Sequence, residues 1–343
     1  MRNTLCISLA LLLCACGGSG GNKQQPIKTN AYVSAQQYVL DNGFIGSVLV
    51  KKGDTTILKS GYGYADKSAK RTNDVDTKYR IASLTKAFTA LAVVQLKQQD
   101  LIDSFDDPVA TYLTDYPNKQ ITIRQLLTHR SGIPDYLSLV NKNKHYQQSE
   151  LIDLFKNKSL EFTPGSKFQY SNSNYFLLGH LIERVSDTSY FDFLNAHILM
   201  PLGMENTEMG NSVISGDNYA LGYKTSSQSS RADSINMSVP YAAGALSSNL
   251  SDYEAWGKAV MSHTLLSDSD IADIYPQQGY GFGWIVTETK GMKTYTHSGG
   301  IDGFSTIIVL VPEVDGMVVA FSNVGNAGLL VNKIAETIAE NEF

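Results

Sequence analysis

The hydrophobic pattern changes period twice along the chain. Residues near Ser34 to Leu40 read as a short helix. From Gly46 to Lys59, two runs rich in β-branched residues flank Gly53-Asp54, which predicts a β-hairpin. Between Ser83 and Leu96 the apolar residues Leu84, Ala87, Phe88, Leu91, Val93 and Val94 fall near helical spacing. They cover almost every side, so the spacing predicts a buried helix. The stretch from about Asp100 to Met200 reads as mainly helical, broken at Pro134 and Pro164-Gly165, with one helical run from Tyr175 to Val185. Extended segments return at Tyr280–Thr287, Lys293–His297, Ser305–Val311 and Met317–Ser322, with a turn at Pro312–Gly316. Leu330, Ile334 and Ile338 then mark one face of a closing helix. Strands at both ends with helices between predict an α+β fold. Its antiparallel sheet is assembled from both termini and flanked by helices, with an inserted all-helical subdomain at about 100–200.

The first residues follow a different rule. Arg2 precedes an apolar run from Leu5 to Leu13, too short to span a bilayer but long enough for the core of a signal peptide. The run ends in Leu13-Cys14-Ala15-Cys16, which resembles the lipobox of bacterial lipoproteins. That resemblance implies removal of residues 1–15, a lipid on the Cys16 thiol, and a Gly-rich flexible tether over 16–32 before a folded body at 33–343. An ordinary secretory signal is the alternative. The three cysteines of the 343-residue chain all lie in this leader. The body therefore holds no disulfide, catalytic cysteine or thiolate metal site. A formal charge of −5, with no Lys/Arg-rich block, argues against nucleic acid as a partner. The expected location is a bacterial envelope, anchored by lipid and facing the periplasm or the cell surface.

Ser83-Leu84-Thr85-Lys86 is the one S-x-x-K in the chain. With Ser83 opening the predicted helix, Lys86 lies one turn on, with Cβ atoms about 5–6 Å apart. A serine hydroxyl is a poor nucleophile until a neighbour takes its proton. A desolvated lysine can do so, because burial favours the neutral amine. Alone the motif is weak. Two others follow in the chain: Tyr170-Ser171-Asn172, placed in a loop before the helical run, and His297-Ser298-Gly299-Gly300, placed at the end of a strand.

With these three motifs in this order, the sequence resembles the class C β-lactamase and D-alanyl-D-alanine carboxypeptidase superfamily, which carries S-x-x-K, Y-x-N, and K-T-G or H-x-G. Supporting phrases are Ile123-Arg124-Gln125-Leu126-Leu127-Thr128-His129-Arg130-Ser131-Gly132, Pro201-Leu202-Gly203-Met204 and Tyr280-Gly281-Phe282-Gly283-Trp284. The resemblance covers about Val33 to the C-terminus and implies a β-lactamase/transpeptidase-like fold. It implies Ser83 as nucleophile, with Lys86 and Tyr170 sharing the general-base and general-acid work. Asn172 would orient Lys86 and bind a substrate amide. His297, Ser298, Gly299 and Gly300 would line the substrate strand, with the Ser83 and Gly300 N–H groups as an oxyanion hole. No metal or organic cofactor is implied.

Position 297 is His where class C β-lactamases carry Lys, so a permanent cation for a substrate carboxylate is missing. The motif then looks like that of certain peptidases and esterases of the superfamily. The expected function is acyl-enzyme hydrolysis of a peptide, a D-amino-acid amide or an ester. A true β-lactamase and a non-catalytic lipoprotein that binds cell-wall fragments are the alternatives. A charge on His297 in contact with substrate would make activity change between about pH 5.5 and 7.5. Singly, the motif residues also have plain readings: Tyr170 as a loop aromatic, Asn172 as a helix cap, and His297 and His129 as structural histidines. Trp256 and Trp284 read as core or cleft wall.

Overall fold

The computed structural model describes residues 31–343 except 215 and 217. The signal segment 1–15, Cys16 and the tether up to residue 30 lie outside the described residues. A seven-stranded antiparallel sheet runs through the described chain. Its strands are β1 (Gly46–Lys52), β2 (Thr55–Tyr62), β3 (Gly279–Tyr280), β4 (Ile285–Thr289), β5 (Met292–Ile301), β6 (Phe304–Val311) and β7 (Gly316–Ser322). Their order is β2-β1-β7-β6-β5-β4-β3, so the N-terminal hairpin joins the C-terminal strands through the β1–β7 pair. The fold class is the predicted α+β.

Side-chain alternation divides the core between the two faces of the sheet. Val48, Val50, Ile307, Val309, Val318 and Ala320 meet helices α1 (Ala35–Asp41) and α5 (Gly328–Glu342), including the predicted Ile334 and Ile338. Leu49, Ile308, Leu310, Met317, Val319 and Phe321 face the larger core on the other side. That core contains α2 (Thr85–Gln98), α3 (Asn172–Ser186) and α4 (Leu250–Met261). Ser34 caps α1 by accepting the Gln37 N–H. Helix α2 is buried on almost every side, as its apolar pattern predicts, and Phe88 stacks on Trp256 with ring centroids 4.0 Å apart. Trp256 and Trp284 are both core residues.

Three local expectations are corrected. The α-helix starts at Thr85, and Ser83 lies in the preceding 3₁₀ turn Ala82–Leu84, because Ala82 has a φ of 51° that no right-handed helix accommodates. The 280–287 segment is two strands, split where Gly283 takes a φ of 78°. The third motif lies inside β5, which continues to Ile301 because Ser298–Ile301 keep pairing with Phe304–Ile307. Between residues 100 and 200, short helices at Ile123–Leu127, Gln148–Asp153 and Tyr190–Leu194 accompany the longer α3, with long irregular stretches between them. Pro108, Pro117, Pro134 and Pro164 interrupt these stretches.

Leu49 is fully buried between strands and core, so Leu49→Ala should cost about 2–5 kcal/mol. Urea unfolding measures it, and a loss below about 1 kcal/mol would mean that this face is looser than described.

Candidate active site

The site begins at a strained turn. Ala82, with its left-handed backbone, stores about 1–3 kcal/mol and turns the chain so that Ser83 is partly exposed beside the first turn of α2. The turn is held from the sheet: Thr306 Oγ1 donates to the Ile81 carbonyl at 2.9 Å. Gly299 lies against the same carbonyl. A Cβ at 299 would stand 2.6 Å from Ile81 O and 2.5 Å from Thr306 Oγ1, so only glycine lets β5 approach the Ser83 turn this closely. A Cβ at Gly300, by contrast, would meet nothing within 4 Å.

Lys86 is completely buried, and its Nζ is surrounded by oxygen. It donates to Asn172 Oδ1 at 2.9 Å and to the Ala243 carbonyl at 2.7 Å, and lies 3.1 Å from Ser83 Oγ. The first two oxygens can only accept, whereas the serine hydroxyl can donate or accept. The two carbonyls therefore take amine protons, and the hydroxyl lies beside the same nitrogen. The ring of Tyr170 completes this environment, with its centroid 4.8 Å from Nζ.

Asn172 is placed by the loop that follows Pro134. Asp135 Oδ2 accepts from the backbone N–H of Asn172 at 2.9 Å and from its Nδ2 at 2.7 Å, while Asp135 Oδ1 accepts from Leu137 N–H. The amide can then present only its oxygen to Lys86. His129 supports the same segment: its Nδ1 accepts from Ser171 N–H at 3.2 Å, and its ring lies 4.2 Å from that of Tyr170. Asn172 is thus the first residue of α3, and Ser171 occupies the cap position.

His297 is buried, and its bonds define its tautomer. Nδ1 faces the Ser298 carbonyl at 2.7 Å and must donate to it, so Nε2 accepts from the Tyr280 hydroxyl at 3.1 Å. Desolvation, assisted by the charge of Lys86, pushes its pKa down to about 3. His129 is held well below the usual imidazole range by burial first and by Lys86 and His297 next. Both rings are neutral at physiological pH. The expectation that His297 changes charge between pH 5.5 and 7.5 is therefore revised.

The fold brings Ser83, Lys86 and Asn172 into direct hydrogen-bond contact, sets Tyr170 against the lysine, and runs His297, Ser298, Gly299 and Gly300 along β5 beside them. Cys16 is not among the described residues. Sequence reading missed Asp135 and the Ala243 carbonyl. Asp135 had a weak signal, an acid directly after Pro134 and three residues past the Ile123–Gly132 phrase; a backbone carbonyl has none. Among the described residues no group of three or more His, Cys, Asp or Glu side chains could hold a metal ion.

The sequence model described as Beta-lactamase matches residues 36–340. Penicillin-binding protein 4* of Bacillus subtilis (strain 168) is 31% identical over 295 residues, 78% of this chain and 65% of that protein. The chain thus spans less than two thirds of the length of the curated relatives it matches. The crystal structure of a penicillin binding protein from Bacillus halodurans superposes with a TM-score of 0.80 at 26% identity, covering 90% of this chain and all of that one. D-amino acid amidase from Ochrobactrum anthropi SV3 superposes with a TM-score of 0.77 at 25% identity, covering 89% and 98%.

Two predictions follow from this geometry alone. Gly299→Ala should lower the melting temperature sharply, or prevent folding, while Gly300→Ala should shift it by no more than about 2 °C; equal effects would contradict the close approach at Ile81. The unfolded chain protonates His297 near pH 6.5 and the folded chain does not, so the unfolded state gains a proton as pH falls. Stability should decrease from about pH 6.5 toward 3, by up to about 1.4 kcal/mol per pH unit for this residue. His297→Gln should flatten that slope in urea unfolding series, and an unaltered slope would show that the imidazole is not held neutral.

Proposed function

Since this chain belongs to the β-lactamase family, we propose that it is a serine hydrolase that forms an acyl-enzyme at Ser83 on a D-amino-acid amide, a peptide or an ester. The observation that carries this reading is the geometry at Lys86 Nζ: two carbonyl oxygens accept from it and the Ser83 hydroxyl lies 3.1 Å away. In its neutral form this amine accepts the Oγ proton as Oγ bonds to the substrate carbonyl carbon. The N–H groups of Ser83 and Gly300 receive the charge that develops on the carbonyl oxygen. When the carbon–leaving-group bond breaks, the leaving atom takes a proton from Tyr170, which is resupplied from Lys86. Water then attacks the ester on Ser83, giving its proton to the same pair, and the acid leaves as Ser83 recovers its hydrogen.

Strand β4 meets β5 only along Met292–Thr296, so His297–Ile301 of β5 has a strand neighbour on the β6 side alone. An extended acyl group can add to this edge by main-chain hydrogen bonds. The likeness to D-amino acid amidase favours a D-amino-acid acyl half within the proposed class. A buried, neutral His297 is a poor seat for a carboxylate, which weighs against efficient β-lactam hydrolysis. The lipobox-like sequence ending at Cys16 supports a lipid-anchored protein of the bacterial envelope. No helix among the described residues is long and apolar enough to cross a membrane.

A fluorescent fluorophosphonate should label the wild type and spare Ser83→Ala; equal labelling would remove Ser83 as nucleophile. Lys86→Ala should lower kcat by about 10²–10⁴-fold with a small change in KM. Asp135 acts through Asn172 and is a positioning residue. Asp135→Ala should lower kcat about 10–100-fold, the usual scale for losing an orienting partner, and Asp135→Asn should restore part of it. An Asp135→Ala enzyme with unchanged kcat would show that the amide of Asn172 needs no such support.

A further inference from the structure

The proposed chemistry leaves the departing half of the substrate without an assigned place, and the surroundings of Tyr170 supply one. In that reading Tyr170 protonates the leaving atom, so the leaving group must lie against whatever surface continues outward from the phenol. That surface is aromatic. The Tyr280 ring lies 6.2 Å from Tyr170, and the Phe168 ring lies 5.6 Å from Tyr280. Phe168 is 40% exposed, which is high for a phenylalanine, and Tyr280 is partly exposed. Behind them His129 is fully buried, with ring centroids 4.7 Å from Tyr280 and 6.1 Å from Phe168, so the wall has a firm backing.

The wall is also built to be uncharged. The Tyr280 proton is committed to His297 Nε2, so the third-motif histidine serves to hold this tyrosine in place. Lys167, the cation adjacent to Phe168 in sequence, lies with its ammonium 6.0 Å from the Phe162 ring centroid. Glu161 accepts the Gln169 side-chain amide. Exposed aromatic faces beside a reacting centre, with their polar tips already bonded, suit a flat apolar group and offer little to a carboxylate.

We propose that Phe168 and Tyr280 form the leaving-group subsite, and that the enzyme prefers substrates whose leaving group is a neutral aromatic amine or alcohol. This rests on the acyl-enzyme reading above and names the substrate class of that same site. It separates this protein from enzymes that release a free amino acid, whose leaving group carries a carboxylate.

The test uses three esters of one N-acyl-D-amino acid: benzyl, ethyl and carboxymethyl. Their alcohols differ little in intrinsic reactivity but differ in ring and charge. The wild type should hydrolyse the benzyl ester with a kcat/KM at least about tenfold above the ethyl ester, within the range a hydrophobic pocket gives, and the carboxymethyl ester most slowly. Phe168→Ala should collapse the benzyl-to-ethyl ratio toward one. Phe168→Lys should move the preference toward the carboxymethyl ester. Fluorophosphonate labelling of Ser83 reports whether each protein retains a working nucleophile, since fluoride as leaving group has no ring to bind. A labelled wild type without benzyl preference, or a ratio unmoved in both labelled variants, overturns this inference and leaves the acyl-enzyme reading standing. An unlabelled wild type overturns that reading, and this inference with it.

Discussion

The structure depends on one buried amine. Lys86 has no exposed surface, and an ammonium or amine withdrawn from water is costly unless its hydrogen-bonding directions are filled. Three chain segments converge to fill them: the Ser83 turn, the first residue of α3, and the Tyr241–Ala243 segment that brings a carbonyl. Each segment is itself anchored. Thr306 and Gly299 fasten the turn to the sheet, Asp135 fixes the Asn172 amide, and the Tyr241 hydroxyl donates to Glu183 at 2.6 Å. A buried polar group satisfied by so many separate parts of the chain selects one arrangement of them.

Close approach is the second theme. Gly299 admits the Ile81 carbonyl, and Gly283 lies against the backbone of Lys86 and Ala87, where a Cβ would come within 2.9 Å of the Lys86 carbonyl. These contacts press the sheet edge against the start of α2, where the unfavourable φ of Ala82 is maintained. Packing on both sides holds a strained turn that would otherwise relax.

His297 shows how burial and hydrogen bonding fix the state of a motif residue. Its position on β5 beside Ser83 suits substrate binding, yet burial leaves it neutral and its two nitrogens are taken by Ser298 and Tyr280. The Tyr280 hydroxyl is thereby tied to the strand. Charge at the cleft is thereby reduced on the side where the family-like lysine would have stood, and aromatic surface takes its place.

Much of this was legible in the residue order. Alternating strands at both ends, the all-round apolar α2 and the three spaced motifs determined the α+β class and the candidate residues, because period and motif order are local properties of the chain. Tertiary structure alone decided how those residues meet. Asp135 reaches Asn172 across 37 positions, Ala243 reaches Lys86 across 157, and neither separation leaves a periodic trace. The protonation state of His297 was likewise invisible, since a histidine's charge is set by how much water surrounds it and which atoms face its nitrogens. Sequence determined which chemical groups were available; packing determined which were desolvated, oriented and brought within reach of a proton.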